Sequence, residues 1–368
     1  MARFYVSTVG VGSGRGLVLA DALARHQRMR GDRVRFVAAA VDVDVVEAWR
    51  QVLLLSVTEV VDVRRRDGAD RLWQECVRAG DIYRNGAWYF RLSRHATRLA
   101  ELLGSGELRV EPADGRKESQ EAVADLRDVQ IRRRGNEWAA IASHVGALGY
   151  GVDGPNYRRW WLESDQRVHV VGRDVLRLHA LLWPAVLLAT GQPLPHVVLS
   201  HDGVADITDF SGDALRWWLL RETGAFHATR TTKELTRGLA QVDRVLTLVH
   251  RYRDGVPPTT SGPAPGAERL TATCQDVPDL VHNALTGYNF RAATDAVWRI
   301  VDEIGRYLAA ARPWELTGDR FDAVLAALMA ACRTLANELT PFLPSVAGRI
   351  VDQCFSTTRV PPTPIWPR

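Results

Sequence analysis

The chain opens on an apolar run, Phe4-Tyr5-Val6-Ser7-Thr8-Val9, that reads as a strand buried on both faces. A strand in a parallel sheet covered by helices has no solvent face, so it shows no alternation. The run enters a glycine-rich turn, Gly10-Val11-Gly12-Ser13-Gly14-Arg15-Gly16, after which apolar residues fall at helical spacing from Leu17 to Met29, ending on a basic turn. Gly31-Asp32 stops this helix, and Val34 to Ala40 forms a second buried strand. Strand, helix and strand make one βαβ unit of a doubly wound sheet.

Residues 45–124 read as helices and short connections, including Asp70 to Arg78 and the stretch Asp81 to Ser93. From Glu137 the α/β pattern returns, with a helix through Trp138 to Leu148, a strand at Val168 to Val171 and a last strand at Val197 to Ser200. After Asp213-Ala214-Leu215 the spacing is helical to the end, interrupted by a Pro/Gly/Ser/Thr-rich linker from Asp254 to Gly266. The expected fold class is α/β. A Rossmann-like domain comprises residues 1–45 and 125–215, residues 46–124 form an insertion, and an all-α bundle spans 216–368.

Length and composition sharpen this only a little. With 368 residues, 46% of them apolar, the chain can bury a substantial core, and its length suits two or three domains. The net charge of +4 mildly favours an anionic partner, and nearly all the positive charge is arginine, since Lys117 and Lys233 are the only lysines. The runs Arg132-Arg133-Arg134 and Arg64-Arg65-Arg66 suit either phosphate contact or a solvated loop. Cys76, Cys274, Cys332 and Cys354 form no metal or redox spacing and read as reduced, mostly buried thiols, so no metal site is expected. The N-terminus lacks a signal-peptide pattern and no apolar run reaches membrane-spanning length, from which a cytoplasmic protein without membrane contact is expected.

Candidate chemistry concentrates in Val170 to Pro184, where a buried strand meets a Gly turn and an amphipathic helix with polar groups at its mouth. Doubly wound sheets bind ligands at such strand ends. Gly172 permits close backbone approach, while Arg173, Asp174, Val175, His179 and Trp183 supply the ligand contacts, or else His179 is a satisfied core histidine and Trp183 a packed aromatic. Gly10, Gly12, Ser13 and Gly14 could cradle a phosphate through backbone N–H groups, or merely shorten a turn. The dinucleotide fingerprint is incomplete and no ribose-binding acid sits at its usual distance, which argues against a nicotinamide or flavin enzyme.

Several phrases resemble the methionyl-tRNA synthetases. They are Phe4 to Thr8, Ala20-Asp21-Ala22-Leu23-Ala24-Arg25, Phe90-Arg91-Leu92-Ser93, Ala147-Leu148-Gly149-Tyr150-Gly151, the Val170 to Pro184 segment, Asn289 to Trp298, Ala311 to Leu316 and Cys332 to Pro344. The resemblance implies a class I synthetase catalytic domain, a connective insertion shortened until its zinc knuckle is gone, and an anticodon-binding-like helical domain. It places Asp174 at a ribose and His179 and Trp183 in an amino-acid pocket, with Trp138 beside it. His144 stands where the family has Tyr, and Ala139 where it has Asp. Asp42 could receive a substrate ammonium after a one-residue shift. Pro313-Trp314 matches the pair that stacks on an anticodon base, with Arg251 on the facing helix.

The family's ATP-binding signatures have no counterpart at the expected positions. The His-Ile-Gly-His turn falls on Gly10-Val11-Gly12-Ser13, and the Lys-Met-Ser-Lys-Ser loop falls between His201 and Asp213, where Asp202, Asp206 and Asp209 would repel a triphosphate. Each such contact typically contributes about 2–4 kcal/mol to transition-state stabilisation. The reading that follows is a synthetase-derived enzyme of bacterial small-molecule biosynthesis. It transfers an already activated aminoacyl group, most simply from aminoacyl-tRNA, with His144, His179 or His201 as base and no cofactor. Two other readings stay open: an ATP-dependent amino-acid ligase, and a non-catalytic protein that binds tRNA, an amino acid or a partner protein.

Overall fold

The computed structural model describes residues 1–9, 14–63, 67–151, 155–203, 212–221, 228–258, 264–355 and 364–366. The chain divides into two compact units, Met1–Ile207 and Thr208–Arg368. In the first unit, β1 (Arg3–Val9), α1 (Arg15–Met29), β2 (Arg33–Ala40), α2 (Val43–Val52) and β3 (Glu59–Asp62) follow one another in strict alternation. Then come α3 (Asp67–Arg78), β4 (Ile82–Asn85), β5 (Ala87–Phe90), α4 (Ala96–Ser105), β6 (Arg109–Glu111), α5 (Ala113–Val123), β7 (Val129–Gln130) and α6 (Asn136–Gly146). A helical turn α7 (Pro155–Tyr157), β8 (Gln166–Gly172), α8 (Trp183–Ala189) and β9 (Val197–His201) complete it.

Six strands form one parallel sheet in the order β3-β2-β1-β8-β9-β6. The order reverses between β1 and β8, which opens a crevice at their carboxyl ends. Val9 pairs with Val171 and Gly172 with His201, so β1, β8 and β9 end at nearly one level. Buried Asp21 on α1 accepts hydrogen bonds from Ser56 N and Oγ, both at 2.6 Å, and from Arg25 Nε at 2.8 Å. These bonds tie α1 to the connection leading into β3.

The stretch expected to be an insertion contributes more than helices and connections. β3 and β6 both join the main sheet, and neither is long enough, at four and three residues, to show a period in the sequence. What stands apart is a three-stranded antiparallel sheet, β4-β5-β7, whose first hairpin turns at Gly86 with φ 66°. α1 starts at Arg15 rather than Leu17, drawing the end of the glycine turn into the helix.

The second unit contains α9 (Gly212–Arg221), α10 (Ala228–Arg253), α11 (Glu268–Thr286), α12 (Phe290–Ala311), α13 (Gly318–Leu339) and α14 (Pro344–Phe355), with no strand among the described residues. Arg216 is fully buried there, and its guanidinium donates to the carbonyls of Pro341 and Phe342, each at 2.9 Å. Asp213 accepts from Val346 N at 2.9 Å. α9 therefore belongs with this bundle, and the boundary drawn from sequence at 215/216 cuts through it. A Cβ on Gly238 would collide with the Trp298 ring, so glycine is what lets α10 and α12 approach.

Candidate functional site

The segment after β8 winds through three kinds of turn. Arg173–Val175 is a 3-10 turn, Leu178–Leu182 is a π turn, and α8 begins at Trp183. Pro184 has no N–H to offer Ala180 and its ring would clash with that carbonyl, which explains why the helix widens just ahead of it. This widening seats His179 and Trp183, both fully buried, against the sheet.

Residues from four elements meet there. Ser7 on β1 has its Oγ 2.8 Å from His144 Nδ1, on α6, and 2.7 Å from His169 Nδ1, on β8. The Trp183 indole N–H donates to His169 Nε2 at 3.2 Å. The His144 and His169 rings stack with centroids 3.7 Å apart, and the His179 ring meets His144 edge-on at 5.2 Å. His179 Nδ1 lies 3.0 Å from the Val175 carbonyl, and Tyr5 Oη donates to the His144 carbonyl at 2.7 Å. Trp161 stacks on His169 at 5.7 Å and closes the cluster. Burial drives all three imidazoles toward the neutral form. His179 is lowered to about 4, and His144 and His169 fall well below the ordinary range, with neighbouring histidines adding to the effect.

A second group gathers at the first turn of α1. Arg15 is only 8% exposed, yet its Nε and Nη1 have no hydrogen-bond partner among the described residues. His201, the last residue of β9, lies beside it. Its Nδ1 is 3.1 Å from the Asp202 carbonyl, and a Cβ on Gly16 would stand 2.6 Å from its Nε2 and 3.1 Å from Thr8 Oγ1. Burial lowers the proton affinity of both Arg15 and His201, with Asp202 opposing the shift in each case. Asp174 lies within electrostatic reach of His179 and His201, and its carboxylate folds back over Gly172.

Other expected contacts point elsewhere. Arg173 pairs with Asp114 at 2.5 Å and Glu118 at 3.0 Å, which turns its guanidinium toward α5. Asp42 is exposed at the end of β2 and caps α2 by accepting from Asp44 N at 3.1 Å. Trp138 is buried, donates to the Ala69 carbonyl at 2.9 Å, and borders a cavity of about 630 Å³ with Arg132, Arg134, Leu178 and Leu182. Val175 offers its carbonyl to His179, and its half-buried side chain packs against the core that holds Trp161 and Trp183. In the helical unit Pro313 is buried while Trp314 is 51% exposed, and Arg251 lies 5.6 Å from the Tyr252 ring centroid. Gly14 precedes α1 at φ 66°. Gly10, Gly12, Ser13, Arg64 to Arg66, Asp206 and Asp209 lie outside the described residues.

Sequence reasoning missed Ser7, His169 and Arg15. The first two are polar interruptions of buried apolar strands, Val6-Ser7-Thr8 and Val168-His169-Val170, and a buried polar group requires a partner. Arg15 sits within the glycine-rich turn, where a cation at a helix start has no electrostatic reason to be unless an anion joins it.

Residues 139–206 match the family model described as tRNA synthetases class I (M). Methionine–tRNA ligase of Caldanaerobacter subterraneus subsp. tengcongensis is 25% identical over 330 residues, covering 76% of this chain and 51% of the ligase. The Thermotoga maritima ligase is 22% identical over 334 residues, covering 77% and 53%. The chain thus spans about half the length of the curated relatives it matches. Among solved structures, the free form of Mycobacterium tuberculosis methionyl-tRNA synthetase superposes with a TM-score of 0.88 at 22% identity, covering 100% of this chain and 98% of that one. Its methionyl-adenylate-bound form gives 0.88 at 20% identity, covering 99% and 100%.

Proposed function

We propose that this methionyl-tRNA synthetase-like protein takes an amino acid already activated as an ester, from aminoacyl-tRNA, and passes the acyl group to an acceptor without making an adenylate. The observation that carries this reading is a conjunction. A buried aromatic and imidazole cluster is built on β1 and β8 at the paired residues Ser7 and His169, yet the two segments that the resemblance aligns with the ATP-binding signatures contain neither histidine nor lysine, and Asp202 begins the second. An ester brings its own activation, so a pocket, a base and correct orientation are enough.

His201 suits the base. Its Nδ1–H donates to the Asp202 carbonyl, leaving the Nε2 lone pair free to receive a proton. The acceptor's nucleophile attacks the ester carbonyl and gives its proton to Nε2. The tetrahedral intermediate then expels the ribose oxygen, which takes that proton back. Arg15 and the first-turn amides of α1 would face the negative charge of the ester-bearing nucleotide. His144 and His179, buried and weakly basic, shape the pocket instead.

Pyrophosphate exchange across a panel of amino acids, followed by incubation with charged tRNA, tests this. No exchange, with acceptor-dependent loss of the acyl group, is the expected result. Exchange with any amino acid would select the ATP-dependent ligase. Charged tRNA retained without acyl loss would select the non-catalytic binder.

A further inference from the structure

Among the imidazoles of the cluster two buried nitrogens, His144 Nε2 and His179 Nε2, have no hydrogen-bond partner among the described residues, and neither has the indole Nε1 of Trp161 at its edge. Leaving such a group unpaired in the interior costs about 1–3 kcal/mol, so a pair of them in adjoining rings needs a reason. The bonds around them fix two of the three rings, His169 and His179, and the Ser7 hydroxyl links the third. An indole can only donate, so His169 Nε2, facing Trp183, carries a lone pair and the proton of that neutral ring sits on Nδ1. That Nδ1–H donates to Ser7 Oγ, and the arrangement that also uses the single Ser7 O–H inside this relay has it donate to His144 Nδ1. In that arrangement His144 carries its proton on Nε2, an unmatched donor. His179 donates from Nδ1 to the Val175 carbonyl, which leaves Nε2 an unmatched acceptor.

We infer that this donor and acceptor, on rings 5.2 Å apart, form a subsite for an uncharged side chain that both accepts and donates: a hydroxyl or a carboxamide. The inference rests on the amino-acid pocket proposed above and names its ligand class. A carboxylate has no hydrogen for His179 Nε2, an ammonium has no lone pair for His144 Nε2–H, and a thioether or alkyl chain leaves both nitrogens unpaired. Sites built to hydrogen-bond a polar substituent reject analogues lacking it far more strongly than apolar pockets reject an added hydroxyl.

The test titrates the full chain calorimetrically with serine, threonine, asparagine, glutamine, methionine and norvaline. At least one hydroxyl or carboxamide amino acid should bind about a hundredfold more tightly than methionine or norvaline. Ser7→Ala should cut that preference at least tenfold while leaving the affinity for norvaline within threefold. In the unliganded wild type, ¹⁵N-detected imidazole spectra should place protons on His144 Nε2, His169 Nδ1 and His179 Nδ1. Methionine binding as tightly as the polar amino acids overturns the polar subsite and leaves the amino-acid pocket standing. A proton on His144 Nδ1 overturns the relay that defines it. Binding by none of the six overturns this inference together with the reading beneath it.

Discussion

Trp183 donates its indole N–H to Nε2 of His169, fourteen residues earlier, at 3.2 Å in a fully buried setting. This contact joins the helix behind the strand ends to the middle of the sheet and sets the tautomer of the ring it touches.

Replacing Trp183 by phenylalanine keeps most of the ring packing but removes that donor. Leaving a buried acceptor unpaired should lower unfolding free energy by about 1–3 kcal/mol, measured by urea denaturation. The more drastic Trp183→Ala and His179→Ala should abolish binding of the amino acid or aminoacyl group. If instead both lose thermal stability while ligand response is unchanged, these side chains are core packing and the pocket reading fails.

The three imidazoles predict how stability responds to acid. Each has a folded-state pKa below its unfolded value, so between the two values the unfolded chain binds more protons. Their contribution is intact above about pH 6.5 and is lost as pH falls from there toward about 4, the value for His179. Melting temperatures should decline between pH 7 and 5.5, above the range where most carboxylates titrate, and more gently in His179→Gln. A melting temperature that holds or rises over this interval would contradict the burial of neutral rings.

Arg15 makes an unusual prediction for a buried arginine. Arg15→Met removes a desolvated cation whose Nε and Nη1 have no partner among the described residues, so stability should hold or gain up to about 2 kcal/mol. Acyl transfer should nevertheless fall, because the charge facing the substrate's anionic group is lost. Calorimetry at millimolar ATP should show weak binding or none for the wild type. A micromolar dissociation constant would reinstate the ligase.

Trp314 stands half exposed on the turn after α12, so Trp314→Ala should change stability by no more than about 0.5 kcal/mol. Filter retention of tRNA should drop while free amino-acid binding is unaffected. A large loss of stability would mean that the ring packs between helices instead.

Local pattern alone determined a good deal. The apolar run of β1, the helical spacing of α1 and the buried run of β2 announce a βαβ unit because each is a contiguous period readable within a few residues. The same holds for the helical second half and for the strand, turn and helix that carry Asp174, His179 and Trp183. Tertiary structure decided what those residues touch. Ser7, His144, His169 and Trp183 come from four separate elements, so no local period could foretell the relay that leaves one donor and one acceptor unmatched. Arg173 reads as a ligand contact until α5 presents Asp114 and Glu118, and charge pairing in space turns it aside. β3 and β6 become strands only because β2 and β9 offer edges for them to pair with. Side-chain periodicity is written along the chain, whereas hydrogen-bond partnership and burial of charge depend on elements that meet only when the sheet closes.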